Sequence, residues 1–315
     1  MSRELVSAII TTHDRDPDII LRAVNSVLNQ SYDPIQLKVV DDSHNNYLKR
    51  SAVENVVLAS SNDIVYIRHA KNQGSCAARN TGLTYARGYY VAFLDDDDEW
   101  VPQKIEEQLK GFSDDDTGLV YSGTTMIDEV RNIKHERRVS YKRGYIYEDL
   151  LKDNFIGTTS NPLIKKECID EVGRFDTKMQ SSQEYDLWLR LAKRYPVNFI
   201  EKPLLNYHIH RNARISTNPD KQIAGIERIN EKYQDDINND NKTWYLRYRD
   251  LVALYANKRW KKKALLLWVK CIAKYPWDIV RYLKLLYLII FGFDSLPYRT
   301  YKKTKDTLNT LLQKR

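Results

Sequence analysis

Cysteine is scarce in this chain, with three residues, Cys76, Cys168 and Cys271, among 315. Odd in number and scattered, they make neither a disulfide framework nor the paired spacing of a zinc site, and they fit a reducing compartment. Long apolar runs are missing too. The longest, Leu285 to Phe293, falls well short of the roughly 18–20 residues that span a bilayer. The first residues, Met-Ser-Arg-Glu-Leu-Val, lead straight into a strand pattern, without the apolar core of a signal peptide. No Gly-x-Gly-x-x-Gly follows the first strand pattern and no Walker-type loop occurs, which argues against a Rossmann dehydrogenase or a P-loop enzyme. Phosphate bound by such a chain has to be neutralised by a metal and by Arg or Lys, not by a glycine cradle.

What is present suits a soluble globular protein. Hydrophobic residues make up 42% and charged residues 29%, an ordinary globular balance. The charge is unevenly spread. Residues 241–315 hold 18 Lys and Arg against 4 Asp and Glu, a net of +14, while the rest holds 32 against 38. A mildly acidic body with a basic tail predicts two jobs, and an anionic partner for the tail.

Val6 to Thr12 reads as a strand, followed by His13, Asp14 and Arg15. Asp16 and Pro17 read as a helix start, with Ile20, Ala23, Val24, Val27 and Leu28 on one face. Leu37 to Val40 is a second strand ending in Asp41-Asp42, Tyr47 to Ala59 a helix, and Ile64 to Ile67 a third strand. Gly74 opens a helix that passes through Arg79 and Asn80 to Arg87. Strands alternating with helices over the first hundred residues predict a parallel, doubly wound α/β sheet. Ligands of such sheets lie beyond the carboxyl ends of the strands.

The fourth strand pattern, Tyr89 to Leu94, runs directly into Asp95, Asp96, Asp97, Asp98, Glu99 and then Trp100. Five carboxylates at the end of a buried strand raise one another's pKa. A divalent cation turns that repulsion into ligation, and oxygen-only ligands select a hard ion, Mg²⁺ or Mn²⁺. With Thr12-His13-Asp14 and Asp41-Asp42, three polar clusters fall on the ligand edge.

Further on, Val101 to Phe112 reads as a helix, Leu119 to Thr125 as a strand, and Met126 to Arg143 as a hairpin or mobile loop. Tyr147 to Asn154 is a short helix, Thr158 to Ile164 a strand and Lys165 to Val172 a helix. Ser181-Ser182-Gln183-Glu184 reads as a helix entry with an acidic first turn, where Asp186 is the kind of acid that partners a helix dipole. Leu204 to Ile209 is a last strand, followed by His210, Arg211, Asn212 and, a little later, Ser216. From Gln222 the pattern is helical. The expected division is a catalytic domain over 1–220 and a basic helical region over 221–315.

Five motifs occur in order: Val-Ser-Ala-Ile-Ile-Thr-Thr with a following Asp-Arg, Val-Val-Asp-Asp-Ser, Ala-Arg-Asn-Thr-Gly, Phe-Leu-Asp-Asp-Asp-Asp-Glu-Trp and Gln-Glu-Tyr-Asp-Leu-Trp-Leu-Arg-Leu. Together they resemble glycosyltransferase family 2, inverting enzymes of the GT-A fold, in the bacterial cell-surface polysaccharide type. The resemblance covers residues 5 to 217. It implies a hexosyltransferase acting on a nucleotide-diphosphate sugar, with UDP expected, in the presence of Mn²⁺ or Mg²⁺. The acceptor it implies is a hydroxyl of a glycan or lipid-linked molecule. By position, Asp97 matches the direct metal ligand, Asp95 and Asp96 lie near ribose and metal, and His210 matches a histidine that completes the metal or diphosphate site. Asp42, beside Asp41, matches the acid at the nucleotide base. Thr11, His13 and Arg15 border base and ribose, and Arg79 and Asn80 lie near the diphosphate. Glu184 falls at the catalytic base, although the family places an Asp in a Glu-Asp pair there and this chain has Gln183-Glu184. The helix start around Glu184 favours its ionised form, and the turn of the helix carries Asp186 away.

Two other readings compete. A nucleotidyltransferase shares the sheet type but brings a Gly-rich basic loop after its first strand. A basic scaffold or nucleic-acid binder fits the tail's Lys, Arg and aromatic content, whereas apolar faces at helical spacing favour packing or a membrane surface. The expected setting is therefore cytoplasmic and peripheral to the membrane, without nucleic acid. The helices dock on anionic lipid, or else pack on the catalytic body or a second subunit.

Overall fold

The structure, a computed structural model, describes residues 3–137, 141–210 and 218–291. Its centre is β1 (Val6–Thr12), buried along almost its whole length. A strand flanked on both sides and covered on both faces carries a continuous apolar run. β1 pairs in parallel with β2 (Ile35–Asp41) and with β4 (Tyr90–Asp95), and β2 pairs in parallel with β3 (Val65–Arg68). The strand order β3-β2-β1-β4 reverses direction between β1 and β4, and such a switch point is where a parallel sheet opens a ligand crevice.

The crossovers are α1 (Pro17–Leu28), α2 (Arg50–Ser60) and α3 (Ser75–Tyr85). Pro17 occupies the first turn of α1, where its missing N–H is no loss. α3 lies close on β1, because a Cβ on Gly82 would stand 2.4 Å from the Ile9 side chain. α2 begins three residues later than its pattern predicts, since residues 45–46 and 48–49 form turns.

Beyond β4 the sheet turns mixed. β8 (Leu163–Lys165) pairs antiparallel with both β4 and β6 (Leu119–Asp128), and β6 pairs in parallel with β9 (Val197–Ile209). The polar stretch after Met126 is a hairpin, with β7 (Ile133–Glu136) antiparallel to β6. β5 (Glu99–Trp100) pairs antiparallel with β9, so the acidic run is stitched to the far strand within four residues of β4. Three helices after α4 (Lys104–Leu109) complete this unit: α5 (Tyr147–Lys152), α6 (Lys166–Val172) and α7 (Gln183–Arg194).

Contacts divide the chain into one unit over Met1–Ala213 and another over Arg214–Arg315. The described part of the second is helical: α8 (Pro219–Lys232), α9 (Gln234–Asn238), α10 (Asn241–Asn257), α11 (Lys261–Lys274) and α12 (Ile279–Phe291). Asn218 and Asp240 cap α8 and α10 through their side chains. Tyr245, Leu251, Val252, Ala264, Cys271, Leu285 and Leu288 are buried between the helices.

Candidate active site

The carboxyl edge of β4 holds four successive acids, all of them partnered. Asp95 stands in register with Thr11 of β1, and its Oδ1 accepts from Arg79 Nη2 at 2.8 Å. Asp96 is buried and accepts twice from Arg15, at 2.9 Å from Nε and 2.7 Å from Nη2. Asp97 Oδ2 lies 2.9 Å from His210 Nε2 and 3.4 Å from Arg15 Nη2. Asp98 is sealed in the interior, where Ser160 Oγ donates to it at 2.6 Å and the His208 N–H at 3.3 Å.

Burial pushes the carboxyls of Asp96 and Asp98 upward, and Asp97 adds to both shifts by like-charge repulsion. That excess of negative charge at a crevice fits a hard divalent ion, with Asp97 and His210 as the adjacent donors. Asp95, expected as a further ligand, is engaged with Arg79. Asp95, Asp97 and His210 are not a ready-made triad: among the described residues the groups of three whose ligand atoms all lie within 4.8 Å comprise His13, Asp14 and His44 alone.

Behind Asp97 and His210 stands a layer the motifs do not announce. Glu129, just past β6, accepts from Arg22 Nη1 at 3.0 Å and contacts His208 Nδ1 at 2.8 Å and His210 Nδ1 at 3.5 Å. Although partial burial opposes it, His208 and Arg22 draw the Glu129 carboxyl below its ordinary value. Burial and the nearby Arg22 lower the His208 pKa. Arg22 also donates to the Asp97 carbonyl at 2.8 Å, fixing the backbone of the acidic run. Arg22, Glu129, Ser160 and His208 reach the site from four separate elements, and no local pattern marks them. Arg211, Asn212 and Ser216 lie outside the described residues.

Asp42 is at the expected edge, but its carboxylate is already engaged. Oδ1 accepts the Gln73 N–H at 2.7 Å and faces His69 Nδ1 at 2.8 Å, and Oδ2 accepts the Gly74 N–H at 2.7 Å. Gly74 sits at φ 89°, a left-handed conformation that glycine tolerates. Asp42 thereby holds the loop that starts α3. Asn80 does not join the cluster through a hydrogen bond. Its Nδ2 donates to the Phe175 carbonyl at 2.9 Å and its Oδ1 accepts the Phe175 N–H at 3.0 Å.

Arg79 joins the two halves of the site. While Nη2 holds Asp95, Nη1 donates to Gln183 Oε1 at 2.9 Å, and Ser75 Oγ donates to the same oxygen at 2.7 Å. Gln183 opens α7, and Glu184 follows. Burial raises the Glu184 pKa above the usual carboxylate value, while its own backbone N–H and Arg79 partly offset the shift. The net direction is opposite to the expected effect of the helix start: desolvation outweighs the helix-end field. Asp186 is fully buried and bound by Arg190, at 3.0 Å from Nε and 2.9 Å from Nη2. Burial pushes the Cys76 thiol, beside Arg79, up to about 12, away from the thiolate form that nucleophilic chemistry needs.

An acidic run at a switch point, tied by Arg79 to the helix start that bears a second carboxylate of raised pKa, agrees with the motif order. The family model for Glycosyl transferase family 2 matches residues 7–173. The chain belongs to glycosyl transferase family 2. This glycosyltransferase is 31% identical over 214 residues to an uncharacterized glycosyltransferase of Methanocaldococcus jannaschii, covering 66% of this chain and 72% of the relative. It is 28% identical to WcaA of Escherichia coli, which is named for a glycosyl transferase role in colanic acid biosynthesis, covering 77% and 86%. It is 26% identical to TuaG of Bacillus subtilis, named for teichuronic acid biosynthesis, covering 81% and 92%. Among solved structures, TarS of S. aureus matches with a TM-score of 0.54 at 13% identity, over 89% of this chain and 54% of TarS. This family 2 enzyme thus has the GT-A type of fold expected from its motifs, and spans about half the length of TarS.

Proposed function

We propose that this enzyme is an inverting hexosyltransferase that moves a sugar from a nucleotide-diphosphate donor, with UDP as the nucleotide, to a hydroxyl of a glycan or lipid-linked acceptor in cell-surface polysaccharide synthesis. The observation that carries the reading is the Arg79 bridge, which ties the acidic run at Asp95 to the helix start that bears Glu184. Glu184 takes the proton of the acceptor hydroxyl as that oxygen attacks the anomeric carbon. The bond from that carbon to the donor phosphate breaks, and the nucleoside diphosphate leaves. A carboxylate whose pKa is raised is better matched to this task at neutral pH than an ordinary one.

Asp97 and His210, with Asp95 beside them, are the residues that would hold Mg²⁺ or Mn²⁺. Such an ion, when bound, stabilises the negative charge of a diphosphate leaving group without proton transfer. Arg15 and Arg79 add positive charge on either side. Thr11, His13, Arg15 and Asp96 border the ribose and base, and Asp42 shapes that end through the loop it holds. Asn80 contributes by fixing Phe175. The names of WcaA and TuaG, for colanic acid and teichuronic acid biosynthesis, support an envelope glycan as the product.

The helical unit serves to place the enzyme at the cytoplasmic face of the membrane. No described helix is long and apolar enough to cross a bilayer. Residues 261–291 carry seven Lys and Arg against one acid, Asp278, and they expose Leu266 (68%), Trp277 (80%), Val280 and Leu283. Cations interleaved with exposed apolar side chains suit the interface of an anionic bilayer.

The test is a panel of nucleotide sugars offered with Mg²⁺ or Mn²⁺, scored for donor binding and hydrolysis. Ion-dependent turnover of one donor is expected. If none is bound or cleaved with either ion, the reading is wrong.

A further inference from the structure

A second cluster of metal-ligating groups lies on the same sheet edge, away from Asp97. His44 Nδ1 is 2.6 Å from Asp14 Oδ2, and His13 Nε2 is 3.8 Å from the same oxygen. The two imidazole rings meet edge-on with centroids 4.9 Å apart. All three ligand atoms lie within 4.8 Å of one another. We propose that His13, Asp14 and His44 form a binding site for a borderline divalent cation of the Zn²⁺ or Co²⁺ type, separate from the hard-ion site at Asp97.

The carboxylate is held in advance. Asp14 has φ 46°, a left-handed conformation uncommon for a residue with a side chain. The Asp14 N–H donates to Ser43 Oγ at 2.9 Å, and the His44 N–H donates to Asp14 Oδ1 at 2.9 Å. Oδ2 is left facing both rings. A tetrahedral ion with ligand bonds of about 2.0–2.1 Å sets its donor atoms about 3.3 Å apart, between the two distances found here. Small ring rotations close the site, and the cation takes the place of the proton that His44 shares with Asp14.

Ligand type chooses the ion. Two imidazoles and one carboxylate favour Zn²⁺, Co²⁺ or Ni²⁺, whereas the oxygen-rich run at Asp95 to Asp98 favours Mg²⁺ or Mn²⁺. The His13 and His44 side chains are about half exposed, 48% and 55%, so ions reach the site from solvent and a further coordination position stays open. If the proposed donor reading holds, His13 borders the nucleoside end of the crevice, and an ion there opposes donor binding. The regulatory consequence rests on that reading; the site itself does not.

The experiment uses the full chain, stripped with chelator and titrated with Co²⁺ while visible absorption is followed. One equivalent should bind with ligand-field bands in the wild type and in Asp97→Ala. His44→Ala, a change on an exposed loop, should weaken binding at least about tenfold, the lower end for losing even an outer-shell partner of a metal ligand. Zn²⁺ should then weaken nucleoside diphosphate binding in the wild type and not in His44→Ala. Absence of the bands, bands unchanged in His44→Ala, or bands lost in Asp97→Ala would each overturn the proposal. None of these outcomes depends on glycosyl transfer.

Discussion

Arg190 grips Asp186 through two nitrogens, at 3.0 Å and 2.9 Å, and with its other donors holds the carbonyls of Val172, Gly173 and Arg174. Asp186 thus holds the arginine that anchors α7 to the end of α6, and the proposed base of this turn is Glu184. Glu184→Gln keeps the shape and removes the basicity. It should preserve donor affinity, measured by calorimetry, and lower transfer by at least about 10²-fold. Asp186→Asn should instead lower the melting temperature while sparing the rate per folded molecule. A normal rate in Glu184→Gln with a lost rate in Asp186→Asn would exchange the two assignments.

The pH dependence of transfer should carry the same signature. Burial raises the Glu184 pKa above the ordinary carboxylate value, so the proposed base is protonated and idle at low pH. The rate should rise with pH through a value above 4.5, and that limb should vanish from the residual activity of Glu184→Gln. An acid limb unchanged in the variant would assign the ionisation to another group.

Asp97→Ala takes from the crevice the acid adjacent to His210. Turnover should fall by about 10²-fold or more, as expected when several kcal/mol of charge stabilisation are lost, with the thermal melt little changed. Chelator should reproduce the loss in the wild type. Full activity in chelator contradicts the metal role.

Flotation with vesicles tests the helical unit. At low salt the full chain should float with anionic vesicles and stay behind with zwitterionic ones, each Lys or Arg near the surface contributing about 1 kcal/mol. Val280→Asp with Leu283→Asp should reduce flotation without altering donor hydrolysis. Self-association in solution without flotation would assign this face to a second copy of the chain.

Lys104 is fully buried, its Nζ 4.5 Å from the Trp100 ring centroid and 2.5 Å from Gln108 Oε1. Burial holds its pKa well below 10.5. The unfolded chain therefore binds a proton more readily there, and this residue makes stability rise with pH through the interval from the lowered value up to 10.5. In urea denaturation Lys104→Met should lose that slope. An unaltered slope would show that the amine stays charged in the core.

Much of this was legible because local chemistry decided it. The apolar run of β1, Pro17 behind Asp16, and the acids at the end of β4 each announce their element. β5 was invisible, since two residues carry no period and their pairing depends on β9. β9 was read only from Leu204, because Pro203 and the exposed Glu201 and Lys202 interrupt the pattern. Thr158 to Ser160 looked like strand, yet Asn161 replaces the ladder there: its amide donates to the carbonyls of Ser122 and Ile156 while its oxygen accepts the Ser122 N–H. The acids themselves were readable in the site. Their partners Arg22, Glu129, Ser160 and His208 were not, because tens of residues separate them from the run they hold.

Asp42 clamps the loop that begins α3, and Arg79, five residues after Gly74, grips Asp95 and Gln183. At about 1.5 Å per residue, the two grips stand about 7.5 Å apart on a hydrogen-bonded rod that resists stretching. α3 therefore links the loop held by Asp42 to both the acidic run at Asp95 and the start of α7 through one continuous hydrogen-bonded segment. The spacing between the acidic run and the start of α7 is thus set by a segment whose own start is fixed at Asp42.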